Sequence, residues 1–87
     1  MAIFSEMQFV NPVTDCLNNH TIPRIAEKTP PQKIVDEAYF SCKKEVKTWQ
    51  EGQRDLSEEM QAQHNKEMYD FYIRMIEIRR KATHHPN

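Results

Sequence analysis

The chain has 87 residues, of which 38% are hydrophobic and 29% charged, and a formal net charge of −1. This length predicts one small domain with a modest core. The composition is typical of a soluble globular protein, and the near-neutral charge argues against a generally basic nucleic-acid binder. The single glycine, Gly52, argues against hairpin-rich β structure and against glycine-rich phosphate loops, and no segment approaches the roughly 18 apolar residues of a membrane span.

Residues 1–28 are predicted to form an irregular arm followed by one short helix. The apolar side chains of the first ten residues follow neither a helical nor a strand period. Asn11 and Pro12 then have the sequence of a helix start, with asparagine as the cap and proline in the first turn. Pro23 prevents this helix from continuing far, so it is expected to be short.

A long helix is predicted over residues 30–51. Thr29 and Gln32 occupy the two positions of a reciprocal capping box, and the prolines between them suit a first helical turn. The apolar side chains recur at helical spacing on a stripe about 100° wide, which is expected to face the core. They are Val35, Ala38, Tyr39, Cys42, Val46 and Trp49.

A second long helix is predicted over residues 55–81, with a flexible tail at 82–87. Gly52 indicates the end of the first long helix, and Asp55 with Glu58 resembles another capping box. The alternative is one uninterrupted rod with Gly52 inside it. With the break, two helices of similar length pair as an antiparallel hairpin. The expected fold class is all-α: this hairpin, with the short N-terminal helix and the irregular arm packed on it.

The last helix carries more apolar surface than one neighbouring helix can cover. One band is expected to face the hairpin partner and consists of Met68, Phe71, Met75 and Ile78. A second band lies on the adjacent side and consists of Tyr69, Tyr72, Ile73 and Ile76. In one interpretation the N-terminal segment covers this second band, through Phe4, Phe9, Val13, Leu17 and Ile22. In the other interpretation a second protein chain covers it.

The second band is the candidate contact surface. Tyrosine and arginine are enriched at protein interfaces, and leaving a large apolar side chain in water forgoes roughly 1.5–3 kcal/mol. Partner binding is therefore predicted at Tyr69, Tyr72, Ile73, Ile76, Arg79 and Arg80. The expected partner is another protein or a second copy of this chain, which would give a homodimer.

Cys16 and Cys42 are expected to be small buried thiols in a reducing cytosol. The alternative is a disulfide between them, which would stabilise the fold by roughly 3–4 kcal/mol on the chain-entropy model. Cys16 and His20 would share one helix face, and Cys42 could add a third zinc ligand. Because structural zinc usually takes four protein ligands, no metal is predicted, and no cofactor is expected.

The pattern of the chain favours a small non-catalytic protein, an adaptor or an inhibitor, that acts through its apolar and aromatic helix surface. No catalytic residues are predicted, because a cysteine in the core stripe is unreactive. One alternative is a nucleic-acid-associated regulatory protein that uses the basic end at Arg74, Arg79, Arg80 and Lys81. A cytoplasmic location is expected, since residues 1–10 lack the cations of a secretion signal; the other alternative is a secreted or periplasmic domain stapled by the disulfide.

Overall fold

The computed structural model describes residues 11–84, and all the regular elements in this part of the chain are helical. The elements are α1 (Pro12–Thr21), a 3-10 turn (Ile22–Arg24), α2 (Pro31–Ser41), α3 (Lys43–Glu51) and α4 (Glu58–His84). No strand occurs between residues 11 and 84, so the expected mostly helical class is confirmed. The predictions for the arm at residues 1–10 and for the tail at 85–87 lie outside the described residues.

The first helix begins where the sequence predicts. The side chain of Asn11 accepts a hydrogen bond from the backbone N–H of Val13 at 3.1 Å, and Pro12 occupies the first turn. This satisfies one of the amides that have no partner inside the helix. After Thr21 the chain tightens into the 3-10 turn that contains Pro23, as expected from a residue that cannot continue a helix.

The predicted helix over residues 30–51 is divided at Cys42, where φ is −103° and ψ is 21°. Helical hydrogen bonds still cross the division, because the Cys42 N–H donates to the Ala38 carbonyl and the Val46 N–H donates to the Cys42 carbonyl, both at 2.8 Å. The predicted capping box at its start is wrong. Pro30 precedes α2 without a side-chain cap, and the Thr29 hydroxyl donates to Glu27 instead.

The helix ends around the connection between α3 and α4 are only partly as predicted. Gly52 caps α3, and its N–H donates to the Thr48 carbonyl at 3.1 Å, so the uninterrupted rod is wrong. The second predicted capping box is also wrong, since α4 begins at Glu58 and the Ser57 hydroxyl accepts from the Met60 N–H at 3.2 Å. At its other end, α4 extends past residue 81.

The core forms where α4 packs against α1 and α2. The Tyr72 hydroxyl donates to Asn18 of α1 at 2.8 Å, and the ring of Tyr69 meets the ring of Tyr39 of α2 edge-on at 5.5 Å between centroids. The buried apolar residues come from all four helices and the α2–α3 junction: Val13, Leu17, Ile34, Val35, Ala38, Cys42, Val46, Tyr72 and Ile76. None of the helices within residues 11–84 is long and apolar enough to cross a bilayer.

Candidate functional site

The second band of the last helix is not the open surface that the sequence suggested. Tyr72 and Ile76 are 2% and 0% exposed, and they pack in the cluster that contains Val13 and Leu17 of α1. For these two side chains the structure agrees with the interpretation in which the N-terminal segment covers the band, and a second protein is not needed to bury them. The physical reason is that α4 packs against two helices at once, which buries more apolar area than a single antiparallel neighbour can.

Tyr69 and Ile73 complete this inward band and are partly buried against the core. The Tyr69 hydroxyl donates to a carboxylate oxygen of Asp36 at 2.6 Å. This hydrogen bond is the main reason why the pKa of Tyr69 is raised above its ordinary value, because the bond needs the phenolic proton. The same interaction fixes the side of α4 that faces α2.

The two predicted rim arginines differ in their surroundings. Arg80 points inward, where its Nε–H donates to the carbonyl oxygen of Ile25 at 2.8 Å. It therefore ties the last turns of α4 to the segment that follows the 3-10 turn. Arg79 is exposed. Of the six residues nominated from the sequence, Arg79 is the one that stays exposed on the surface of α4.

The exposed apolar surface of α4 lies on the side opposite to the core. Phe71 and Ile78 are 59% and 63% exposed, and Met75 between them is partly buried. Together they lie in a shallow groove of about 540 Å³ whose lining residues all belong to α4. We call this surface the outer face of α4, and it consists of Glu67, Asp70, Phe71, Arg74, Met75, Ile78 and Arg79.

Sequence reasoning assigned Phe71, Met75 and Ile78 to the hairpin interface and therefore missed them as a surface. The prediction was wrong for Phe71 and Ile78, which are exposed, whereas Met68 and Met75 of the same band pack against the core. A helical pattern gives the angle between two bands of side chains, and it does not say which neighbour each band meets. The signal that could have identified the outer face is the charge pattern beside it, because charged residues border the apolar side chains that remain in contact with water.

The charges of the outer face have both signs. Glu67 and Asp70 lie toward the start of the groove, and Arg74 and Arg79 lie further along α4. Asp70 also accepts a hydrogen bond from Lys66 at 2.7 Å, which raises the pKa of Lys66. This mixture differs from the single-sign patch that contacts phosphate groups in nonspecific nucleic-acid binding.

A second cluster of chemically notable residues lies between α1 and the α2–α3 junction. Cys16 and Cys42 form a disulfide, with their Cα atoms 6.0 Å apart. The exposed His20 lies beside them, and the potential ligand atoms of the three residues are all within 4.8 Å of one another. A metal would need the two sulfurs as thiolates, so in the disulfide form this cluster is a covalent crosslink of the fold.

Comparison of this chain with models of protein families, with curated proteins and with solved structures finds no match.

Proposed function

We propose that this chain is a small non-catalytic binding protein, an adaptor or an inhibitor, that recognises another protein chain through the outer face of α4. The observation that carries the proposal is the exposure of Phe71 and Ile78, which are more than half accessible to water on a helix whose opposite side buries Tyr72 and Ile76 in the core. Isolated surface apolar residues are ordinary, but two large ones flanking Met75 in one groove form a contiguous patch.

The shape of the groove favours a protein partner over a small molecule. Small-molecule sites are usually concave and are formed between several elements, with a few polar groups that converge on the ligand. The groove here is shallow and is lined by one helix. Another helix can lie along such a surface, with its apolar side chains against Phe71 and Ile78 and its polar ones beside Asp70 and Arg74.

We further propose that residues 31–51 and α4 act as one antiparallel helical hairpin that presents the outer face on its exposed side. Two contacts support this arrangement. The Gln50 side chain lies 3.5 Å from that of Asn65 near the connection, and Tyr39 meets Tyr69 further along. From the first contact to the second, the position falls along residues 31–51 and rises along α4, which is the direction of an antiparallel pair.

The disulfide between Cys16 and Cys42 supports an oxidising compartment. We therefore propose the secreted or periplasmic location in preference to the cytoplasmic one expected from the sequence. Labelling the protein from its native source under denaturing, non-reducing conditions tests this choice. No labelled thiol is expected, whereas two labelled cysteines per chain would contradict the proposal.

Site-specific photocrosslinking in the native source tests the binding function. A photoreactive amino acid at Ile78 is expected to give a discrete crosslinked product of higher mass, because Ile78 belongs to the exposed apolar part of the proposed contact. The matched control is the same amino acid at Phe40, which is 71% exposed on α2 and lies off the outer face. Equal crosslinking at the two positions, or none at Ile78, would contradict a binding role for this surface.

A further inference from the structure

We propose that the partner on the outer face of α4 is a second copy of this chain, bound through an antiparallel pairing of the two α4 helices. This inference rests on the proposed binding function and specifies its partner. The observation that carries it is a row of four charged side chains beside the apolar part of the outer face. When this row is placed against a second copy of itself in the reverse order, each charge meets one of opposite sign.

The apolar residues of the outer face define a line along α4. At about 100° per residue, Met60, Phe71 and Ile78 point within about 20° of one another. All three are exposed, Met60 at 45%. A line of this kind lies along the middle of the contact when two helices pair side by side.

A row of charges runs beside this apolar line. Asp70, Arg74, Glu77 and Lys81 follow one another at intervals of four, three and four residues. At the same angular increment, they fall within about 60° of one another and about 80° to one side of the apolar line. Arg74, Glu77 and Lys81 are exposed, and Asp70 is partly exposed, so all four side chains are accessible to a partner.

The signs of this row are negative, positive, negative and positive along the chain. In an antiparallel pair of identical helices, symmetry brings each flank against the same flank of the second copy, in the reverse order. The reversed row is positive, negative, positive and negative, so every charge meets its opposite. In a parallel pair the row would instead meet the other flank of α4, where Met68 and Arg79 lie and no matching row exists within the described part of the helix.

The complementarity fixes the register of the pair. Matching all four charges places the symmetry axis between positions 75 and 76. Asp70 then lies opposite Lys81 of the second copy, and Arg74 lies opposite Glu77 of the second copy. Phe71 of one chain and Ile78 of the second copy then differ by about 3 Å in height along the helix axis, because each residue rises by 1.5 Å. The apolar contact and the charge contacts therefore agree on one arrangement.

Asp70 also binds Lys66 of its own helix, which draws part of its charge away from a partner. Arg74 and Glu77 make no ion pair elsewhere among residues 11–84, which makes them the better pair for a test. Reversing the charge of either residue places like charges in both of the symmetry-related contacts between positions 74 and 77. It is expected to weaken self-association by about tenfold or more.

Sedimentation velocity of the full chain provides the test. The unmodified chain is expected to sediment as a dimer, and Arg74→Glu and Glu77→Arg each as monomers. An equimolar mixture of the two variants is expected to form heterodimers, because one chain then has negative charges at both positions and the other has positive charges there. The double variant carrying both changes is expected to dimerise again. Lys47→Glu, an exposed charge reversal on α3, is the control and is expected to stay dimeric.

The outcomes separate this inference from the proposed function. A monomeric unmodified chain, together with an Ile78 crosslink to a different protein, would overturn the homodimer and retain the binding function. An Ile78 crosslink within the same chain to residues 1–10, with no dimer in solution, would overturn both. Ile78→Glu is expected to prevent dimerisation, whereas the control Phe40→Glu is expected to stay dimeric. If both variants were dimeric, the contact would lie elsewhere on the molecule. Single variants that fail to associate on mixing would overturn the antiparallel register.

Discussion

At the residue scale, three tyrosines near the contact of α4 with α1 and α2 differ in what their hydroxyl groups bind. Tyr69 donates to Asp36, and Tyr72 donates to Asn18. The buried hydroxyl of Tyr39 has no hydrogen-bond partner among the described residues. An unpaired buried hydroxyl costs free energy, whereas a paired one contributes on the order of 1 kcal/mol. The three phenol groups therefore have unequal effects on stability.

We predict that Tyr39→Phe keeps or raises the free energy of unfolding, by up to about 1 kcal/mol, because it removes an unpaired buried hydroxyl and keeps the ring. Tyr72→Phe is the matched change at a paired hydroxyl and is expected to lower stability by about 1 kcal/mol. Urea unfolding followed by circular dichroism measures both. A Tyr39→Phe variant as destabilised as Tyr72→Phe would show that the Tyr39 hydroxyl has a partner in solution.

The pH dependence of stability gives a second prediction at this scale. Burial raises the pKa of Tyr39 to about 12, and the nearby hydroxyl groups of Tyr72 and Tyr69 add to this shift. The unfolded chain loses this proton near pH 10, as a model tyrosine does. The free energy of unfolding that depends on this raised pKa is therefore unchanged below about pH 10 and decreases as the pH rises toward 12. Thermal unfolding across this pH range is expected to show a smaller decrease in stability for Tyr39→Phe than for the unmodified chain. Equal decreases would contradict the assignment of this pH dependence to Tyr39.

At the scale of the elements, the sequence predicted best where one residue has a dominant local effect. Asn11 and Pro12 start α1 because the cap and the proline act through the adjacent backbone. The prediction that α3 ends at Gly52 is also confirmed, although Gly52 has a φ of −67°, which any residue can adopt. The two capping boxes failed because serine, threonine and aspartate compete for several nearby partners. Thr29, for example, binds a neighbouring glutamate instead of the α2 backbone.

The candidate site was harder to predict than the helices. Its apolar residues were recognised and were placed on the correct helix. Phe71 and Ile78 were expected to face the hairpin partner but are exposed, and Tyr72 was nominated for partner binding but is buried. Tyr72 is buried because α1 folds back onto α4, a contact between residues 54 positions apart for Tyr72 and Asn18. A helical period contains no information about such a contact. Local patterns therefore gave the faces, and only tertiary packing decided which face meets water.

The start of α4 provides a prediction for a single element. Ser57→Ala removes the hydroxyl that accepts the Met60 N–H and is expected to lower stability by about 1 kcal/mol. Thr29→Ala is the control, since its hydroxyl sits before α2 without capping that helix. It is expected to change the unfolding free energy by less than about 0.5 kcal/mol, as a surface substitution does. Equal effects of the two changes in urea unfolding would contradict the observed caps.

At the scale of the whole molecule, the disulfide crosslinks the chain at the position where its helices meet. It joins α1 to the junction of α2 and α3 across a sequence separation of 26 residues, and Cys42 is fully buried in the core. The core itself is small, because a chain of this length buries only about 60–65% of the surface that its unfolded form exposes. A covalent constraint is therefore a large fraction of the stability available to this fold.

We predict that reducing the disulfide lowers the free energy of unfolding by about 3–4 kcal/mol, the value that the chain-entropy model gives for a loop of this length. Urea unfolding with and without a dithiol reductant measures the difference. Cys16→Ala/Cys42→Ala is the control, which is expected to unfold like the reduced chain and to be insensitive to the reductant. Because small domains have about 5–15 kcal/mol of stability in total, such a loss would leave a domain at the low end of that range close to unfolding. The outer face of α4 would then be presented reliably only where the disulfide forms, and a reduced chain as stable as the oxidised one would contradict this dependence.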